Sequence, residues 1–202
     1  APEDTVIDDD IANKIEEFYP QYETNDCFPT CIRNMIVNIS LKNGKGKNPF
    51  KISKGDINVM CEYTNRYASS ADMKMISGKL NKEMKSKNFR CIFKYTDRGR
   101  TPEFSTEDLK QIIRDDLKSL PTVTLSKDYF GDSEFPWDAD ENYRIDHTVI
   151  ILEIDENNVF YIWDGLISYN KGASDESTIV SLPEERFMRY WVNTYKGKET
   201  CW

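Results

Sequence analysis

The sequence predicts an α+β fold, with helices mostly first, antiparallel strands later and no βαβ alternation. Three observations carry this expectation. Apolar residues recur at helical spacing up to Leu120, short β-branched and aromatic runs dominate after it, and a polar turn joins the two strongest of those runs.

Taken in order, Ile11, Ile15 and Phe18 make a short helical stripe that Pro20 ends. A buried helix is expected from Cys27, with Cys31, Met35, Ile36 and Ile39 on one face. Asn25 and Asp26 suit its N-cap, and Pro29 is tolerated in its first turn because the missing N–H has no partner there. The glycine-rich stretch from Asn43 to Pro49 breaks it. Ser53 and Asp56 open a further short helix with Ile57 and Met60. Met73, Ile76, Leu80 and Met84 mark another, and Leu109, Ile112, Ile113, Leu117 and Leu120 mark a last one after a cap at Ser105 or Thr106. Strands are expected from Phe89 to Tyr95, Thr122 to Leu125, Arg144 to Ile154, Val159 to Asp164 and Thr178 to Leu182. Asp155 to Asn158 supplies a hairpin turn, and Pro183 to Trp191 reads as a short terminal helix.

A chain of 202 residues fits one domain and buries a sizeable core without staples. Residues 1–20 read as an acidic N-terminal extension and 21–202 as the domain itself. The net charge of -8 argues against a nucleic-acid partner, which calls for an excess of Lys and Arg on one face. The basic clusters from Lys42 to Lys54 and from Lys79 to Lys94 read as solvated surface. No apolar run approaches the roughly 20 residues of a membrane span. A soluble protein with no membrane partner is therefore expected, placed in the cytoplasm, with secretion after signal removal left open. The sequence does not speak to oligomeric state.

Five cysteines form an odd set with no CxxC pair, so neither a disulfide framework nor a zinc site is expected. They read as free thiols, with one singled out by its surroundings. A thiol attacks a carbonyl as the thiolate, which needs a lowered pKa and a proton acceptor nearby. Cys27 lies where a buried helix begins, and the unsatisfied N–H groups and the dipole of a helix start favour negative charge. His147 is the one histidine, hence the one imidazole base, and it opens an apolar strand. An imidazole base needs an acceptor on its second nitrogen. Asp164 closes the next strand, and in an antiparallel pair the start of one strand lies beside the end of the other, so His147 and Asp164 are expected as neighbours. Asp146 competes, but its side chain points to the opposite face. For the oxyanion, the Cys27 N–H is one donor and the Gln21 amide, six residues upstream, is a candidate second.

This order of residues resembles the C39 and C39-like group of papain-like cysteine peptidases. The matching features are Gln21, Asp26-Cys27 before the apolar helix from Cys31 to Ile39, Asp146-His147 before Val149 to Leu152, and Tyr161 to Asp164. The tail from Leu182 to Trp191 is also similar, so the likeness spans roughly Gln21 to Trp191. It implies a papain-like fold, a helical lobe packed on an antiparallel sheet. Cys27 would head the central helix, His147 and Asp164 would sit on the sheet, and Gln21 would support the oxyanion. It also implies cleavage of peptide or protein substrates through an acyl-thioester, without cofactor or metal. Phe28 departs from the family, which commonly has Gly or a small residue after the nucleophile. The leader-cleaving members are fused to transporters, and no transporter segment is seen, so leader removal is not the expected role. Acyl transfer to an amine or thiol, and a catalytically silent domain that binds a protein, are the rival expectations. The segment from Asp128 to Asp146, rich in acidic and aromatic residues, would serve either as a solvated loop or as a cleft wall for basic or extended peptides.

Overall fold

The computed structural model describes residues 7–21, 27–42, 77–82, 93–96, 105–114, 120–126, 128–129, 147–192 and 198–201. The expected caps Asn25 and Asp26, the helix around Ile57 and Met60, nearly all of the basic clusters, Asp146, and the acidic segment beyond Tyr129 lie outside the described residues.

Six strands form one sheet in the order β1-β6-β2-β3-β4-β5, every pairing antiparallel. They are β1 (Phe93–Thr96), β2 (Thr122–Leu125), β3 (His147–Ile154), β4 (Val159–Trp163), β5 (Ile179–Pro183) and β6 (Lys198–Cys201). The helices are α1 (Asp9–Ala12), which runs on into a 3₁₀ turn at Asn13–Ile15, α2 (Cys27–Lys42), α3 (Thr106–Arg114), α4 (Gly165–Lys171) and α5 (Glu184–Val192). Residues 77–82 are also helical. The fold is thus α+β, a mixture of helices and an antiparallel sheet. Among the described residues no helix is long and apolar enough to cross a membrane.

The centre of the sheet is apolar on both faces, and described helices pack against each. One face presents Val123, Leu125, Val149, Ile151, Phe160, Ile162 and Leu182 to Leu109 of α3 and to Phe187, Tyr190 and Trp191 of α5. Phe160 and Phe187 stack there with centroids 4.1 Å apart. The other face presents Ile150, Leu152, Trp163 and Ile179 to Cys31 of α2 and to Ile11, Ile15 and Phe18. The N-terminal residues set apart in the sequence as an extension therefore contribute three side chains to this second core.

The last expected stripe runs to Leu120, yet Leu120 lies outside α3, buried on the α2 face of the sheet. Pro121 disfavours helical backbone at the residue before it, and β2 starts directly after. Helix α4 and strand β6 were not anticipated. The expected hairpin turn forms: Asp155 Oδ1 accepts from the N–H groups of Asn157 (2.9 Å) and Val159 (2.8 Å), and Asn158 takes a φ of 58°.

Candidate active site

His147 is the first residue of β3 and is 3% exposed. Its Nε2 lies 2.7 Å from Asp164 Oδ1. Asp164 follows the last residue of β4 and caps α4, its Oδ1 accepting from the Leu166 N–H at 2.9 Å. Its Oδ2 accepts from the Tyr129 hydroxyl at 2.6 Å. A cap side chain at a strand-to-helix junction is held by the backbone on both sides, so this carboxylate has little freedom.

The face on which Asp164 emerges is decided by one residue. Near the turn Ile154 pairs with Phe160 and Glu153 with Tyr161, but beyond it Ile151 pairs with Ile162 and Ile150 with Trp163. Leu152 is the extra residue of a β-bulge. Residues directly opposite in an antiparallel ladder share a face. Continuing the shifted register sets Asp164 opposite Val149, which shares a face with His147. Without the shift Asp164 would face Ile150 and point to the other side of the sheet.

Cys27 is the first residue of α2 and partly exposed, with Cys31 one turn on, fully buried, its Sγ 3.6 Å from the Thr148 carbonyl. Helix α2 is thereby seated over the beginning of β3. The Cys27 thiol hydrogen-bonds to His147 and Thr148. Since Nε2 of His147 is directed to Asp164, Nδ1 is the ring nitrogen left for the thiol.

Burial pushes the Cys27 thiol up, but the His147 imidazole, through its hydrogen bond and charge, and Thr148, through backbone and side-chain hydrogen bonds, bring it below the ordinary thiol value. Burial also works against a charged His147. The Asp164 carboxylate outweighs that, with help from Cys27, and raises the imidazole to about 10. Asp164 is held below its ordinary value: burial opposes this, while His147, Tyr129 and the Leu166 N–H overcome it. The three directions all favour the charged form of each group, the imidazole standing between the thiol and the carboxylate.

Gln21 is 1% exposed. Its N–H donates to Ser168 Oγ at 3.0 Å, and that hydroxyl donates to the Gly165 carbonyl. A Cβ at Gly165 would lie 2.9 Å from Gln21 Oε1 and equally close to two ring carbons of Trp163. Gln21 is thus packed against the residue that follows Asp164, at the same corner of the fold.

Tyr129 and Thr148 were not singled out in the sequence. A signal for Tyr129 existed in the strand pairing: Leu125 is the register partner of His147, so the chain just past Leu125 leaves the sheet beside the imidazole. For Thr148 the signal was parity, because the residue after His147 must face the side on which α2 lies.

No protein-family model matches the sequence, and no curated protein matches it. Among solved structures the chain is similar to the peptidase domain of Streptococcus ComA, a bi-functional ABC transporter involved in a quorum-sensing pathway. The identity is 15%, the TM-score 0.48, and the alignment covers 92% of this chain and 96% of that one.

Proposed function

We propose that this chain is a cysteine hydrolase of peptide or amide bonds, with Cys27 as nucleophile and His147 as general base and acid. Asp164 would orient the imidazole, and Gln21 with the Cys27 N–H would meet the oxyanion. One observation carries the reading. The one imidazole in the sequence is buried, bonded through Nε2 to a buried carboxylate, and shares a hydrogen bond with a thiol at the start of a helix.

The chemistry follows from that geometry. His147 holds the proton of Cys27, and the thiolate attacks the substrate carbonyl carbon, forming a C–S bond as the carbonyl π electrons move to oxygen. Donors at the helix start and on Gln21 stabilise that oxygen. When the intermediate collapses, the C–N bond breaks and the imidazolium gives its proton to the leaving amine. Water then attacks the acyl-thioester while His147 takes a proton from it. The C–S bond breaks, the acid leaves, and the thiolate returns. Asp164 stays ionised throughout and keeps one tautomer and one ring orientation.

The experiment is turnover of a peptide library by the protein and three variants. Cys27→Ala and His147→Ala abolish turnover, and Asp164→Asn leaves partial activity. Hydrolysis that survives in Cys27→Ala rejects the scheme. Added amines that divert the acyl group into new amides would make the protein a transferase instead.

A further inference from the structure

We propose that Tyr129 is a positioning residue of this site: its hydroxyl holds one oxygen of Asp164 so that the other stays on His147. The inference rests on the reading of His147 and Asp164 as a working pair, but its test does not need turnover.

The Asp164 carboxylate is 0% exposed and has a different set of donors on each oxygen. Oδ1 accepts from the Leu166 N–H and faces His147 Nε2, and Oδ2 accepts from Tyr129 at 2.6 Å. The first two contacts both fall on Oδ1. The third holds the other oxygen, so the carboxylate plane is fixed at both ends. Tyr129 is itself fixed, also at 0% exposure: its N–H donates to the Ser126 carbonyl at 3.0 Å. Its ring lies nearly parallel to the imidazole, with centroids 6.0 Å apart and planes at 18°. Tyr190 of α5 packs edge-on against it at 5.9 Å.

The groups facing His147 among the described residues are therefore Cys27 from α2, Asp164 from the β4–α4 junction and Tyr129 from the chain after β2. Tyr190 from α5 stands behind Tyr129. Burial and the Asp164 charge keep the phenol protonated, so it acts as a donor only. With the hydroxyl removed, Oδ2 becomes a buried anion oxygen without this donor. The carboxylate then turns away or takes up a proton, and either change loosens its hold on the imidazolium.

His147 is the one histidine of the chain, so its ring signals in an NMR titration need no assignment. The titration is run on the protein, on Tyr129→Phe, on Asp164→Asn and on the double variant. In Tyr129→Phe the His147 midpoint should fall by about one pH unit. In the double variant it should coincide with that of Asp164→Asn, because Tyr129 acts through Asp164. An unchanged midpoint in Tyr129→Phe, or the same fall with and without Asp164, overturns the proposal. Should Tyr129→Phe not fold, the unaltered protein still decides. A slowly exchanging Tyr129 phenolic proton close to the His147 ring supports the lock, and its absence removes it. A protein without hydrolase activity that shows these shifts leaves the positioning role standing, whereas an active enzyme with an unmoved midpoint does not.

Discussion

Lys14 donates to the Leu152 carbonyl at 2.6 Å and lies 3.2 Å from Glu153, so the N-terminal segment grips the bulge that gives Asp164 its face. The contact joins residues far apart in the chain. It connects the first apolar stripe of the sequence with the geometry of the candidate site.

Lys14→Met should destabilise the protein by about 1 kcal/mol, the usual worth of one such hydrogen bond. The ion pair with Glu153 is partly exposed and adds little. Urea unfolding measures the loss, and Lys14→Arg should recover most of it. Equal unfolding midpoints for Lys14→Met and the unaltered protein would show that the bulge does not depend on this grip.

Much of this region was legible in the sequence, for physical reasons that particular residues make plain. Asp155 to Asn158 specify their turn through local hydrogen bonds, and His147 and Asp164 as neighbours follow from which strand ends meet. The bulge was not legible. Leu152 sits in an unbroken apolar run from Val149, and nothing in its composition separates an extra residue from a paired one. A regular ladder from the same turn would have put Asp164 on the wrong face. Tyr129 escaped for a different reason: its role depends on β2 lying beside β3, a choice of neighbours made by the whole sheet. Leu120 keeps helical spacing yet is not helical, because Pro121 disfavours helical backbone at the residue before it. Strand β6 has little apolar content of its own and exists as the partner of β1 and β2.

Gly165→Ala is expected to cost stability and to disturb Gln21. The new Cβ meets the Gln21 side chain and the buried Trp163 ring at 2.9 Å, and the ring has no room to give way. Overpacking of this kind costs about 1–3 kcal/mol. If Gln21 serves the oxyanion, Gln21→Ala should lower kcat by roughly 10²–10³. Adding Gly165→Ala to Gln21→Ala should then lower kcat little further, because both act on one side chain. Fully multiplied losses in the double variant would separate Gly165 from Gln21.

Iodoacetamide alkylation reads the thiolate directly. With His147 beside it the thiol lies below its ordinary value, so Cys27 should react quickly under mildly acidic conditions. In His147→Ala the largest lowering influences are gone and burial pushes the thiol up, so at the same pH the rate should drop more than about tenfold. The hydrolase profile should share this acid limb and should fall on the alkaline side as His147 loses its proton near 10. A His147→Ala rate equal to that of the unaltered protein would dissolve the ion pair.

Stability against pH offers a check that no substrate is needed for. His147 has its folded value raised from 6.5 to about 10, so its contribution is fully present below 6.5 and is lost as pH rises towards 10. Cys27 has its folded value lowered from 9.0, so its contribution is present above 9.0 and is lost as pH falls through the lowered value. From the lowered Cys27 value up to 9.0 the two act with opposite sign and offset one another. In Cys27→Ala only the histidine contribution remains, and Asp164, its principal cause, is untouched. That variant should therefore lose stability more steeply than the unaltered protein over the range where Cys27 titrates, up to pH 9.0, with a difference of slope up to about 1.4 kcal/mol per pH unit for one proton. Every other titrating group is common to both proteins, so the difference isolates the pair. Urea unfolding at closely spaced pH values measures it, and a Cys27→Ala curve as flat as that of the unaltered protein would mean that thiol and imidazole titrate independently.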